Sequence, residues 1–191
     1  MSHTLRDAWL AEAVEKLRPL FIEAGTPIPE KVRASIGFPS RNAGRSNKQR
    51  IGECWGNPSD GIPQVSVSPV TDDAAKILDI LAHELVHAAV GCECGHRGAF
   101  KRLALAIGLE GKMTATFAGE ALTGKLKAIA SKLGPLPHVA LDLSVRKKQS
   151  TRMLKAECSP CEYIVRLTRK MIDTHGCPIC PACGEQMAES V

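Results

Sequence analysis

The chain lacks any apolar run approaching the roughly 18 residues that a membrane-spanning helix requires, so no such helix is expected. It also lacks a charged-then-apolar leader, since the opening SHTLRDAWLAEAVEKL reads as amphipathic. A cytoplasmic protein is therefore expected. An excess of one charge sign is missing too: the net +5 over 191 residues is too mild to establish a nucleic-acid partner, which leaves that question to local clusters. Eight cysteines would suit a disulfide scaffold in a secreted mini-protein. Without a leader, and with about half of them in close pairs, metal binding is the better account. The 44% hydrophobic content excludes a disordered chain and supports one medium domain with a small appendage.

What is present centres on Leu81–Gly91, LAHELVHAAVG, which places His83, Glu84 and His87 in a His-Glu-x-x-His pattern. Residues four apart on a helix lie one above the other, so both imidazoles can reach one ion while Glu84 projects beside it. Zinc open at one position lowers the pKa of its water to about 7, and a neighbouring carboxylate can act as general base. The bare pattern is only suggestive, so its context matters. Thr71 offers an N-cap, Asp72 and Asp73 suit the positive end of a helix dipole, and Ile77, Leu78, Leu81, Leu85 and Ala88 recur at helical spacing before Gly91. A buried helix carrying the motif in its second half follows.

Two ligands leave a catalytic zinc one protein donor short. His96, beside Gly95 in the turn after the helix, is the best third ligand, with Cys92 or Cys94 and then Glu110 as alternatives. The segment HELVHAAV…GHRGAF resembles the SprT-like (Spartan-type) zinc metalloproteases at His83, Glu84, His87, Gly95, His96, Gly98 and Phe100. The third histidine comes nine residues after the second, unlike the six of the metzincin pattern. The resemblance is good over residues 70–120 and loose over 1–138. It implies a zincin-like α+β fold, three histidine ligands with Glu84 as the catalytic base, and DNA-dependent cleavage of proteins bound or crosslinked to DNA.

Residues 4–24 carry the stripe Leu10, Ala13, Val14, Leu17, Leu20 and Phe21, an amphipathic helix that Pro19 is expected to kink or split. Val32–Phe38, Glu53–Trp55 and Pro63–Pro69 read as strands of a small antiparallel sheet, with Cys54 and Trp55 expected in the core. An edge of that sheet beside the cleft could accept an extended substrate as an added strand. Phe100, Leu103, Ala104 and Ile107 mark a further helix with Phe100 beneath the site, and Leu122, Leu126, Ile129 and Leu133 another. Residues 109–118 carry no clear pattern, and Met113 there is expected to pack. Arg97 could approach a developing oxyanion but is expected in solvent.

Two stretches without acidic residues stand out: the loop 39–52 with Arg41, Arg45, Lys48 and Arg50, and residues 144–155 with Arg146, Lys147 and Lys148. Either could be a solvated segment or a non-specific phosphate contact. Cys158–Cys161 and Cys180–Cys183 are two C-x2-C pairs, the signal of a four-cysteine zinc ribbon held together by a structural zinc. Cys177 with Cys180 is an alternative pair and His175 a rival ligand, but Gly184 favours Cys183. The expected organisation is a metalloprotease domain over 1–140, a basic linker over 141–155 and a ribbon over 156–191. A catalytic and a structural Zn2+ are expected, with DNA-associated proteins as substrates. The competing readings are a non-catalytic adaptor with a closed first zinc site and a hydrolase of small amides.

Overall fold

The computed structural model describes residues 3–42, 49–56, 58–144 and 153–190, which form two compact units divided between Leu143 and Ser144. The architecture is α+β, with small sheets. Arg45, Lys48, Arg146, Lys147 and Lys148 lie outside the described residues.

The first unit begins with α1 (Arg6–Glu23), which runs unbroken through Pro19. The expected split is absent because Pro19 sits on the exposed side, where water can serve the carbonyl it leaves unpaired, while Trp9, Leu10, Ala13, Val14, Leu17, Leu20 and Phe21 bury both halves in one core. Trp9 Nε1 donates to the Gly134 carbonyl at 3.1 Å, tying α1 to the end of a later helix. Next come β1 (Arg33–Ile36), β2 (Gly52–Trp55) and β3 (Gln64–Val67), in the order β1-β3-β2.

This sheet is mixed rather than antiparallel: β1 runs parallel to β3, and β2 antiparallel to it. The long connection from β1 lets the chain enter β2 before β3, so β1 and β3 point the same way. Val65 and Val67 of β3 are buried, as their alternation predicts. Trp55 is 51% exposed, contrary to expectation. The pleat turns Gly52 and Cys54 toward the following helix and Glu53 and Trp55 to the other face, where the indole reaches Glu53.

α2 (Ala74–Val90) is capped by Asp73, whose carboxylate accepts from Ala75 N at 2.8 Å and Lys76 N at 3.1 Å. Thr71, the expected cap, lies two residues too early and instead accepts from Asp73 N. Buried residues surround most of α2, making it the central element of the core. A 3-10 turn (Cys92–Cys94) leads into α3 (Ala99–Ala106), then the hairpin of β4 (Leu109–Lys112) and β5 (Ala115–Ala118), then α4 (Glu120–Leu133). Met113, in the hairpin turn, packs partly buried against the core.

The second unit contains β6 (Met153–Glu157), β7 (Ile164–Thr168), α5 (Arg169–His175) and β8 (Ala188–Ser190), with the antiparallel order β7-β6-β8. β6 starts inside the stretch read as linker. Its core is very small: Ala156, Cys158, Cys180 and Met187, with Val165, Leu167 and Cys177 against them. Among the described residues, no helix is long and apolar enough to cross a membrane.

Candidate metal centre

Helical spacing puts His83 and His87 on one face of α2, and the chain then turns back on them. Gly91, Gly95 and Gly98 all adopt positive φ, at 90°, 54° and 51°, a region that L side chains disfavour. Those turns bring His96 Nε2 to 3.2 Å from His87 Nε2 and 3.3 Å from His83 Nε2. Ligands held about 2.0–2.1 Å from a tetrahedral ion lie roughly 3.3–3.4 Å apart, so the spacing fits a single small cation. Cys92 and Cys94 do not join the group: their sulfurs donate to the Cys54 carbonyl at 3.3 Å and the Val90 carbonyl at 3.1 Å. Glu110, exposed on β4, is not one of the group.

Phe100 forms the floor, fully buried, with its ring centroid 4.3 Å from His87, 4.9 Å from His96 and 5.0 Å from His83. Behind His83, Thr116 Oγ1 on β5 is 2.7 Å from Nδ1. An Nδ1–H donated to that hydroxyl leaves the Nε2 lone pair facing the other two rings. His87 has no such partner among the described residues; its Nδ1 is buried alone. Thr116 was invisible in the sequence, because nothing in LEGKMTATFA announces a hairpin that folds back onto α2.

Burial makes these groups titrate unusually. Desolvation, with the charge of its neighbour His96, pulls His83 down to about 4, and burial with the nearby charges pulls His87 to about 3. His96 is also lowered, by burial and then by Arg50. All three are therefore neutral at physiological pH, the state that binds metal. Glu84 is 6% exposed, and burial pushes its carboxyl up to about 8 against the opposing charge of Arg50.

Gly52 lets β2 come this close to α2. A Cβ there would stand 2.7 Å from Ile80 Cγ2 and 2.8 Å from Glu84 Cγ, and would also collide with Glu84 Oε1. The cluster opens into a cleft of about 890 Å3 whose walls include Gly52–Cys54 of β2, Arg50 and the tip and second strand of the β4–β5 hairpin. Among the described residues β2 is an edge strand. The Ile51 carbonyl bonds to Ser68 N on the β3 side, so by alternation the main-chain groups of Gly52 and Cys54 face the free edge. Cys92 occupies the Cys54 carbonyl and leaves Gly52. Arg97 is exposed and does not line this cleft, and Arg41 is exposed as well.

In the second unit, Cys158 Sγ lies 3.3 Å from Cys183 Sγ and Cys161 Sγ 3.4 Å from Cys180 Sγ, all four without a disulfide. Such separations exceed the roughly 2.05 Å of an S–S bond and approach the ~3.8 Å between thiolates on a tetrahedral ion. Each pair sits in the same turn, closed by Glu162 N to Cys158 O at 2.8 Å and Gly184 N to Cys180 O at 2.9 Å. Burial raises Cys180, but the N–H groups of Ala182 and Cys183 and the neighbouring thiols bring it down to about 7. Cys177 and His175 stay outside the group.

Comparison of the chain with family models, curated proteins and solved structures gives no match. The geometry is therefore the main guide: two groups that can each hold a metal, one opening into a cleft next to a buried carboxyl.

Proposed function

We propose that the chain is a zinc-dependent endopeptidase of SprT-like type that acts on proteins bound or crosslinked to DNA. One observation carries the hydrolase reading: three imidazole Nε2 atoms converge beside the buried carboxyl of Glu84 at the wall of an open cleft. Zinc, when bound by His83, His87 and His96, supplies Lewis acidity toward a carbonyl and makes water more acidic. The chain's own groups do the rest. Thr116 orients His83, and Glu84 takes a proton from water and hands it to the departing amine nitrogen.

An extended substrate backbone would pair with Gly52 on the free edge of β2, which reads main chain and so tolerates varied side chains. In the second unit, Cys158, Cys161, Cys180 and Cys183 would hold a structural zinc. The DNA part of the reading rests on the likeness of HELVHAAV…GHRGAF to the SprT-like family and on the acid-free basic stretches. Cysteines without disulfides suit a reducing cytoplasm.

The test is a zinc-loaded Glu84→Gln variant assayed on a DNA-binding protein with and without single-stranded DNA. The variant should keep its metal and lose cleavage. Undiminished turnover would refute the mechanism. A parent that holds zinc yet cleaves nothing would favour the adaptor reading instead.

A further inference from the structure

Hydrolysis through Glu84 has a requirement that the three histidines do not meet. When the water oxygen adds to the scissile carbonyl carbon, Glu84 takes the proton and negative charge collects on the former carbonyl oxygen. When the C–N bond then breaks, Glu84 returns that proton to the nitrogen. A fixed cation or N–H donor facing that oxygen is worth about 10²–10³ in rate. Arg97, next to His96 in sequence, does not line the cleft, whereas Arg50, Lys76 and Lys112 do. Lys76 is drawn to Asp79 at 2.7 Å, and of the three Arg50 alone carries a planar fork of N–H donors.

Arg50 is held by an unusual partner. Glu53 of β2 is only 9% exposed, and its carboxylate accepts from Ser40 N at 2.7 Å, Ser40 Oγ at 2.8 Å, Trp55 Nε1 at 3.2 Å and Arg50 Nη1. Burial alone would raise this carboxyl, but the bonds from Ser40 and Arg50 keep it ionised and below its ordinary value. A carboxylate fixed by three other donors gives the guanidinium a rigid anchor, unlike a surface pair of two flexible chains. A guanidinium carries five N–H donors in a planar fork, and anchoring one nitrogen sets the direction of the others. The side chain remains 47% exposed, open to the cleft rather than sealed in the core. It shares the wall of that cleft with Glu84, His87 and His96, the groups on which the chemistry depends.

We propose that Arg50 is a catalytic residue of this cleft, donating to the oxyanion that forms on the scissile carbonyl, with Glu53 as its positioning residue. This rests on the endopeptidase reading above. It assigns to Arg50 a role other than the phosphate contact that the loop composition suggests.

The test compares the zinc-loaded full chain with Arg50→Ala, Arg50→Lys and the double variant Arg50→Ala/Glu53→Gln, which leaves no buried carboxylate stranded. Three quantities are read: zinc content, kcat and KM on a protein substrate, and the affinity of inorganic phosphate, a tetrahedral anion. Zinc content should not change. Arg50→Ala and the double variant should lose about 10²–10³ in kcat with KM within about threefold, and at least tenfold in phosphate affinity, with partial recovery in Arg50→Lys. Unchanged kcat and unchanged phosphate affinity in both alanine variants would overturn the proposal. If the parent cleaves nothing but phosphate binding still requires Arg50, the endopeptidase reading fails while the anion site stands. If phosphate binding is also indifferent to Arg50, both fail.

Discussion

His83 Nδ1 and Thr116 Oγ1 are 2.7 Å apart, joining the metal-motif helix to a hairpin 33 residues further along the chain. Partners of this kind fix the tautomer of a ligand histidine, and their loss typically costs 10- to 100-fold in metal affinity. Thr116→Val should weaken metal binding at the three-histidine group by about that factor, and Thr116→Ser should restore it. A chelator-competition titration measures both. Equal affinity in the valine variant would show that the hydroxyl is only a bystander.

The raised Glu84 carboxyl makes the metal-free protein pH-sensitive in a defined direction. With a folded value of about 8 against an ordinary 4.5, the folded state binds more protons than the unfolded between those limits, so stability falls as pH rises through that window. Glu84→Gln removes the term. In the metal-free protein it should raise stability at pH 8 by a few kcal/mol, with no gain below about pH 4.5. Thermal melts at pH 4, 6 and 8 read the effect. A gain independent of pH would rule out the ionisation as its cause.

His83 and His87 act in the opposite sense. Their folded values, about 4 and about 3, lie below the ordinary 6.5, so the unfolded chain takes up the extra protons and metal-free stability declines as pH drops from about 6.5. His87→Gln should flatten the acid side of the stability profile without changing the alkaline side.

At Gly52 the constraint is contact rather than charge. Alanine there meets Ile80 and Glu84 from α2, an overpacking expected to cost about 1–3 kcal/mol and to move the Glu84 carboxyl. Gly52→Ala should therefore retain metal at the histidines but lose most of any hydrolytic activity. Metal analysis alongside turnover separates the two; a fully active variant would mean that β2 can move away from the helix at no cost.

The two cysteine turns differ at one corresponding position. Gly184 has φ 75° and Glu162 has φ 59°, so only the first turn places a side chain in the left-handed region. Gly184→Ala should destabilise the second unit by about 1 kcal/mol, and Glu162→Gly should stabilise it by a similar amount. Because the unit's core is so small, a chelator should unfold it while the first unit remains folded. Hydrogen exchange with and without chelator resolves the units; protection that survives in residues 153–190 would contradict a metal-dependent fold.

Local rules carried much of the site. The i, i+4 histidines, the glycines that turn the chain toward His96 and the four cysteines in two like turns are short-range features, readable because helix pitch and knuckle geometry are set within a few residues. The apolar stripes of α1, α2, α3 and α4 were readable for the same reason. Other features were decided only by the assembled chain: the parallel pairing of β1 with β3, the exposure of Trp55, the capping of α2 by Asp73, Thr116 behind His83, and Glu53 holding Arg50. Each depends on which face of a short strand turns inward, or on a contact between distant segments. Four-residue strands carry too little alternation to reveal their faces, and a polar side chain's partner is chosen by packing, not by its neighbours in sequence.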